Sequence, residues 1–172
     1  MIDVISIVQV KAYARQAGLI LALLWIASFA FMVLAPNSSV GSLLAMATPF
    51  FVGWLLKCFR HEALSGLLSF RRGLAFSCLT FFYASLVFAL VQFLYFRFLD
   101  GGTFLSNIAS QIDMLDKVYV EKGMPPTNLK DGVSLMLQLT PIQMAFTFMM
   151  QNVFIGGLLS LPIAFVCKKK QR

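Results

Sequence analysis

The residues of this sequence that could do acid–base chemistry are few. The one histidine, His61, is followed by Glu62, and a carboxylate beside an imidazole can orient it as a general base. The pair lies among basic residues between two apolar segments, where a solvated surface pair is the more common outcome. We therefore expect no catalytic role for it, and an enzyme acting on lipid-linked substrates stays open only as an alternative.

Other reaction motifs are absent from the sequence. It has no glycine-rich phosphate loop, no cluster of zinc ligands and no nucleophile at a recognised spacing from a base. The three cysteines, Cys58, Cys78 and Cys167, form no C-x-x-C motif, and each lies within or at the end of an apolar segment, where thiols stay reduced. The sequence therefore predicts no enzyme, with no catalytic residue, no cofactor and no metal site.

Three amide side chains occur within apolar segments. Gln151 and Asn152 lie near the middle of the last such segment, and Gln92 lies in the outer part of the one before it. An amide in hydrocarbon seeks a partner, and a hydrogen bond between membrane helices contributes about 0.6 to 2 kcal/mol. We expect these amides to make interhelical contacts. A polar-ligand site between the last two segments is the alternative.

The segments that carry these residues are long and free of charge. Of 172 residues, 59% are hydrophobic and only 12% are charged, which is too few for a water-facing surface. Uncharged blocks of 17 to 27 residues cover 18–34, 40–56, 73–96 and 141–167. Each is long enough to cross a hydrocarbon core of roughly 30 Å as a helix. The sequence predicts an all-α integral membrane four-helix bundle in one domain, 1–172, with spans at 18–34, 40–59, 73–99 and 141–167.

The basic residues are distributed unequally between the two sides of these spans. Four of the 14 fall on one side with five acids, and ten fall on the other: Lys11, Arg15, Lys57, Arg60, Arg71, Arg72, Lys168, Lys169, Lys170 and Arg172. Positively charged loops remain cytoplasmic, so both termini are predicted inside and residues 101–140 outside. Because the basic residues are placed at the ends of the spans, the positive charge suits contact with membrane lipids. This placement excludes nucleic acid as a partner. No ionisable residue lies mid-span, which disfavours ion-coupled transport, although a small transporter or channel component remains an alternative.

The external segment has helical periodicity. An apolar stripe recurs with spacings of three or four and predicts an amphipathic helix: Phe104, Ile108, Ile112, Leu115 and Tyr119. Full burial of five such side chains would contribute about 7 to 12 kcal/mol. We expect the stripe to dock on the protein's own spans or on a partner rather than on lipid. A shorter helix is predicted at 129–137, and Thr140 with Gln143 predicts a capping box at the start of the fourth span.

Two further local patterns concern the second span and the connector after it. Small or kinking residues recur every fourth position, at Gly41, Ala45, Pro49 and Gly53, and predict a kink at Pro49 and a face packed against other spans. The connector 60–72 has three leucines at helical spacing between basic ends, which predicts one or two helical turns on the inner leaflet.

Several segments together resemble a known family. The connector 66–76, the end of the third span at 95–100, the stretch 156–164 and the closing lysines 168–170 resemble the small inner-membrane proteins of domain of unknown function 4199, which are typical of Bacteroidetes. The resemblance implies four spans in a Gram-negative inner membrane and assigns no catalytic residue. It also implies a glycosyltransferase as a candidate partner, by association alone. The sequence departs from the family pattern at Gly101, where we expect proline in many relatives.

These observations favour one function over the alternatives. We expect a non-catalytic accessory or scaffold subunit of an envelope-associated complex in the bacterial inner membrane, in contact with membrane lipids and with a membrane-protein partner.

Overall fold

The computed structural model describes residues 4–36, 38–125, 129–136 and 138–169, and this part of the chain is helical, with no strands. Its helices are α1 (Val4–Leu34), α2 (Val40–Met46), α3 (Thr48–Ala63), α4 (Phe70–Phe98), α5 (Thr103–Glu121), α6 (Leu129–Met136) and α7 (Pro141–Cys167). The all-α prediction is confirmed.

Three helices are long and apolar enough to cross a membrane: α4, α7 and the Val8–Leu34 part of α1. Helices α2 and α3 pass the same test together if they form one span bent by 45°. The described chain thus has three candidate spans, or four if the bent pair is one span, as expected of a multi-pass membrane protein. Pro141–Cys167 coincides with the predicted fourth span, and α1 runs without a break from Val4 through the predicted first span to Leu34.

The contacts divide the chain into two compact units, residues 1–89 with 148–172 and residues 90–147. In the first unit, glycines bring helices close together. A Cβ atom on Gly18 of α1 would lie 2.6 Å from Cβ of Tyr83 on α4, and one on Gly156 of α7 would meet the ring of Phe81. Helices can approach this closely only where the side chain is missing.

Aromatic and polar contacts complete the interior of this unit. The rings of Phe59 and Phe76 stack with centroids 4.7 Å apart, which joins α3 to α4. Trp25 of α1 packs against Phe81 and donates its indole N–H to the Thr48 hydroxyl at 3.1 Å. The indole nitrogen is therefore satisfied away from water, as a buried donor must be.

The second span is broken rather than smoothly kinked. Helix α2 ends at Met46 and α3 begins at Thr48, with Pro49 in its first turn, where a missing N–H has no consequence. The bend interrupts the helical register, so the four small positions do not form one packed face. Gly41 contacts α1, because a Cβ there would lie 2.9 Å from the Ser28 carbonyl oxygen, whereas a Cβ on Gly53 would meet nothing within 4 Å. The prediction of a single packed face is wrong.

Within the connector 60–72, residues 60–63 belong to α3 and residues 70–72 to α4, whereas residues 64–69 are not helical. The prediction of helical turns at the three leucines is therefore wrong. Ser65 and Gly66 have φ values of +48° and +84°, and left-handed backbone ends α3. Leu68 then exchanges two backbone hydrogen bonds of 2.9 Å with Lys169. Because these groups are paired with a segment distant in sequence, the leucine spacing alone did not reveal the conformation.

In the second unit, a glycine corner joins α4 to α5. Gly101 and Gly102 have φ values of +53° and +88°. Proline, whose φ is fixed near −65°, could not occupy position 101 in this conformation.

The remaining helices of this unit begin and end where local signals place them. Helix α5 ends at Glu121, followed by Gly123 with φ +70°. The shorter helix is α6, and position 137 lies outside the described residues. At the start of α7, Thr140 donates its backbone N–H to Oε1 of Gln143 at 2.9 Å, and Gln143 N–H reaches the Thr140 hydroxyl at 3.5 Å. The predicted capping box is formed.

Candidate functional site

The surface of α7 between Phe148 and Cys167 is apolar with one exception. Its exposed residues include Met150, Phe154, Ile155 and Leu158, and the only polar one is Gln151. Gln151 lies within one helical turn of the midpoint of the 27-residue helix. In a membrane this amide would face the hydrocarbon, where an amide with no hydrogen-bond partner costs roughly 2 to 7 kcal/mol.

The other two amides have different surroundings. Asn152 is half-buried, and Gln92 on α4 is only 4% exposed. Oε1 of Gln92 accepts no hydrogen bond within the described part of the chain. Gln92 belongs to the unit 90–147, whereas Gln151 and Asn152 belong to the other unit. The interhelical role of these amides stays a prediction.

The five residues of the α5 stripe differ in exposure. Ile112 is buried, Phe104 and Ile108 are half-buried, and Leu115 and Tyr119 are exposed. Phe104 packs against Phe96, with ring centroids 5.5 Å apart. Leu115 and Tyr119, the second half of the stripe, are not covered by the described residues. The docking role of the stripe therefore stays a prediction.

Two buried residues of α5 lie outside that stripe, Leu105 and Asp116. Both are on the face of Ile112, at spacings of seven and four residues. The predicted stripe contains apolar residues only, so it did not identify Asp116 as buried. Its spacing of four from Ile112 was the available signal.

At the basic end of the first unit, α3 is joined to the end of α7. Arg60 donates from a terminal guanidinium nitrogen to the Cys167 carbonyl oxygen at 3.1 Å. This bond satisfies one of the carbonyls that a helix leaves unpaired at its C-terminus. The Lys168 ammonium lies 3.8 Å from the centre of the Phe165 ring.

The His61–Glu62 pair is exposed, and the histidine contacts a different neighbour. Nε2 of His61 lies 3.1 Å from a terminal nitrogen of Arg60. Because a guanidinium only donates, Nε2 is the acceptor. The histidine ring is therefore oriented by an arginine, and the geometry gives no support to a base oriented by Glu62.

The described residues form no site for metal binding, and their cysteines are free thiols. No three His, Cys, Asp or Glu side chains come together among them in a way that could hold a metal ion. Cys58 and Cys78 are half-buried free thiols, and Cys167 is a buried one.

Comparison with known proteins gives one match. Neither the curated proteins nor the solved structures contain a significant match to this chain. One family model, described as "Protein of unknown function (DUF4199)", matches residues 16–169. The match covers all four apolar segments, the connector and the external segment, and thus most of the 172 residues. The chain therefore belongs to the DUF4199 family.

Proposed function

We propose that this protein is a non-catalytic accessory subunit of a complex in the bacterial inner membrane, and that α7 binds a helix of another membrane protein. The observation that carries the proposal is the exposed Gln151 amide on an otherwise apolar surface. A partner helix that offers an amide or hydroxyl at the same depth would satisfy both hydrogen-bonding groups of Gln151.

The proposed arrangement has four spans, with α2 and α3 as one bent span and both termini in the cytoplasm. The ten basic residues on one side support this orientation. In this arrangement α5 and α6 lie outside, where the exposed Leu115 and Tyr119 offer a second contact to the same complex. A glycosyltransferase is one candidate partner.

The topology can be tested with cysteines at two exposed positions, Ser106 on α5 and Lys168 after α7, in a chain without native cysteines. A membrane-impermeant maleimide should label Ser106→Cys in intact cells. It should label Lys168→Cys only after the inner membrane is permeabilised. Labelling at position 168 in intact cells would contradict the orientation.

The partner contact can be tested by photocrosslinking. Ile155 is exposed and lies one turn from Gln151, so a benzoylphenylalanine there should give an adduct with a recurring second membrane protein. The substitution Gln151→Leu should lower the adduct yield about tenfold, because it removes an interhelical hydrogen bond of up to about 2 kcal/mol. Gln151→Asn, which keeps the amide, should retain part of the yield.

The control is the same probe at Leu23, an exposed residue of α1 with apolar neighbours, which should give no such adduct. An adduct with a second copy of this chain would contradict the accessory role. So would a recurring adduct whose yield is unchanged in Gln151→Leu, since the amide would then not be what binds the partner.

A further inference from the structure

An apolar groove lies between α3 and α7 at the basic end of the first unit. Its volume is about 370 Å³, and its walls include Phe50, Gly53 and Trp54 from α3 and Pro162 and Ile163 from α7. Gly53 contributes no side chain to the wall, and a Cβ atom added there would meet nothing within 4 Å. The groove is therefore open at Gly53 and not filled by the described residues.

The groove ends at a cation. Lys57, which is exposed, lines it one turn after Gly53. From Phe50 to Lys57 the helix rises roughly 10 Å, about two thirds of the hydrocarbon depth of one leaflet. An apolar groove of this length can hold part of a lipid acyl chain, and the lysine at its interfacial end can bind the negatively charged headgroup above that chain.

Trp54 also indicates that the Lys57 end of the groove lies at the membrane interface. It is exposed at the groove wall, three residues before Lys57, and tryptophan is enriched at membrane interfaces, where its ring is apolar and its N–H is polar. Acidic charge is scarce nearby, since between Lys57 and Arg72 the connector has one acid, Glu62, against four basic residues.

We propose that this groove is a binding site for an anionic phospholipid of the membrane, with an acyl chain between α3 and α7 and the phosphate beside Lys57. The headgroup charge gives the site its selectivity, and the groove gives it a fixed position, which distinguishes it from the lipid that surrounds any membrane protein. The site lies on α3 and on residues 159–167 of α7, away from Gln151, so its test is independent of the partner contact.

The two tryptophans of the chain provide the measurement. Trp25 is buried, and in a Trp25→Phe background Trp54 is the only tryptophan and can be excited selectively over the four tyrosines. In reconstituted vesicles, brominated phosphatidylglycerol should quench Trp54 at about fivefold lower mole fraction than brominated phosphatidylcholine. The reason is that one lysine near an anionic headgroup contributes about 1 kcal/mol, which corresponds to about a fivefold difference in affinity. If Trp25→Phe does not fold, the unmodified chain serves, with buried Trp25 as a constant background.

Two pairs of variants separate charge from groove. Lys57→Gln should remove the fivefold preference, whereas Lys11→Gln, an exposed lysine on α1 outside the groove, should keep it. Gly53→Leu, at a position where an added Cβ atom meets nothing within 4 Å, should fill part of the groove and should also remove the preference. Gly157→Leu, where an added Cβ likewise meets nothing within 4 Å, should keep it.

Equal quenching by the two lipids in the unmodified groove would overturn the proposal, since only surrounding lipid would then contact Trp54. A preference that survives Gly53→Leu would overturn it as well, because Lys57 would then act from the surface without the groove. A preference that survives Lys57→Gln would also overturn the proposal, because the phosphate would then not be bound beside Lys57.

Discussion

The substitution Gly156→Ala is expected to destabilise the protein while the same change at Gly157 does not. A Cβ atom on Gly156 would lie 2.6 Å from Cβ of Phe81, an atom that cannot move without the backbone of α4. Phe81 is itself fully buried and packed against Trp25. A Cβ on Gly157 meets nothing within 4 Å, and there alanine gains helix propensity. We expect the unfolding free energies of the two variants to differ by about 3 kcal/mol.

Unfolding in mixed micelles with increasing sodium dodecyl sulfate, followed by circular dichroism, measures this difference. A compensating change provides a second test. Phe81→Gly removes all three atoms that the added Cβ would meet, so the double variant with Gly156→Ala should be more stable than the sum of the single changes predicts, by more than about 1 kcal/mol. Equal stability of Gly156→Ala and Gly157→Ala would show that α4 and α7 are not in close contact here.

The second large effect is expected at Asp100, which closes the corner between α4 and α5. One carboxylate oxygen accepts from the Phe104 N–H at 2.7 Å and from the Tyr95 hydroxyl at 2.9 Å. The other accepts from the Gly102 N–H at 3.2 Å, and the residue is only 5% exposed. Asp100→Ala leaves these three donors without their acceptor, and each lost hydrogen bond costs about 1 kcal/mol or more of free energy. The first turn of α5 should lose about a hundredfold of its protection against hydrogen exchange.

Hydrogen exchange with mass spectrometry on peptides covering 99–106 measures this loss. Tyr95→Phe is the graded control, since it removes one of the three bonds and keeps both backbone bonds, and its effect should be about tenfold. Exchange at the start of α7, where Thr140 and Gln143 form a separate capping box, should not change in either variant. Unchanged protection of residues 102–106 in Asp100→Ala would show that the glycine corner holds its shape without the carboxylate.

Features that depend on short stretches of sequence could be predicted. The length of α7 followed from an uncharged block, and its capping box followed from Thr140 and Gln143, because both signals involve residues within one turn. The end of α5 also depends on the local backbone alone, since Gly123 follows it with a φ of +70°.

Features that depend on partners distant in the sequence could not be predicted. The connector lost its predicted helical turns because Leu68 pairs with Lys169, and no pattern within 60–72 reports that pairing. The exposure of Gln151 likewise depends on which faces of α7 are covered by other helices, although its mid-span position was evident from the sequence. The break at Ala47 placed Gly53 on an open groove rather than against a helix, and a four-residue repeat of small side chains could not distinguish these outcomes.

The pairing of Leu68 with Lys169 also sets an order of events during synthesis. Residue 169 leaves the ribosome about 100 residues after residue 68, which at 5 to 20 residues per second is a delay of roughly 5 to 20 s. During that interval the backbone groups of Leu68 lack Lys169, and the Arg60 guanidinium lacks the Cys167 carbonyl at the end of α7. Helices α1 to α4 can therefore enter the membrane before this end of the protein is closed, and its closure marks the arrival of α7.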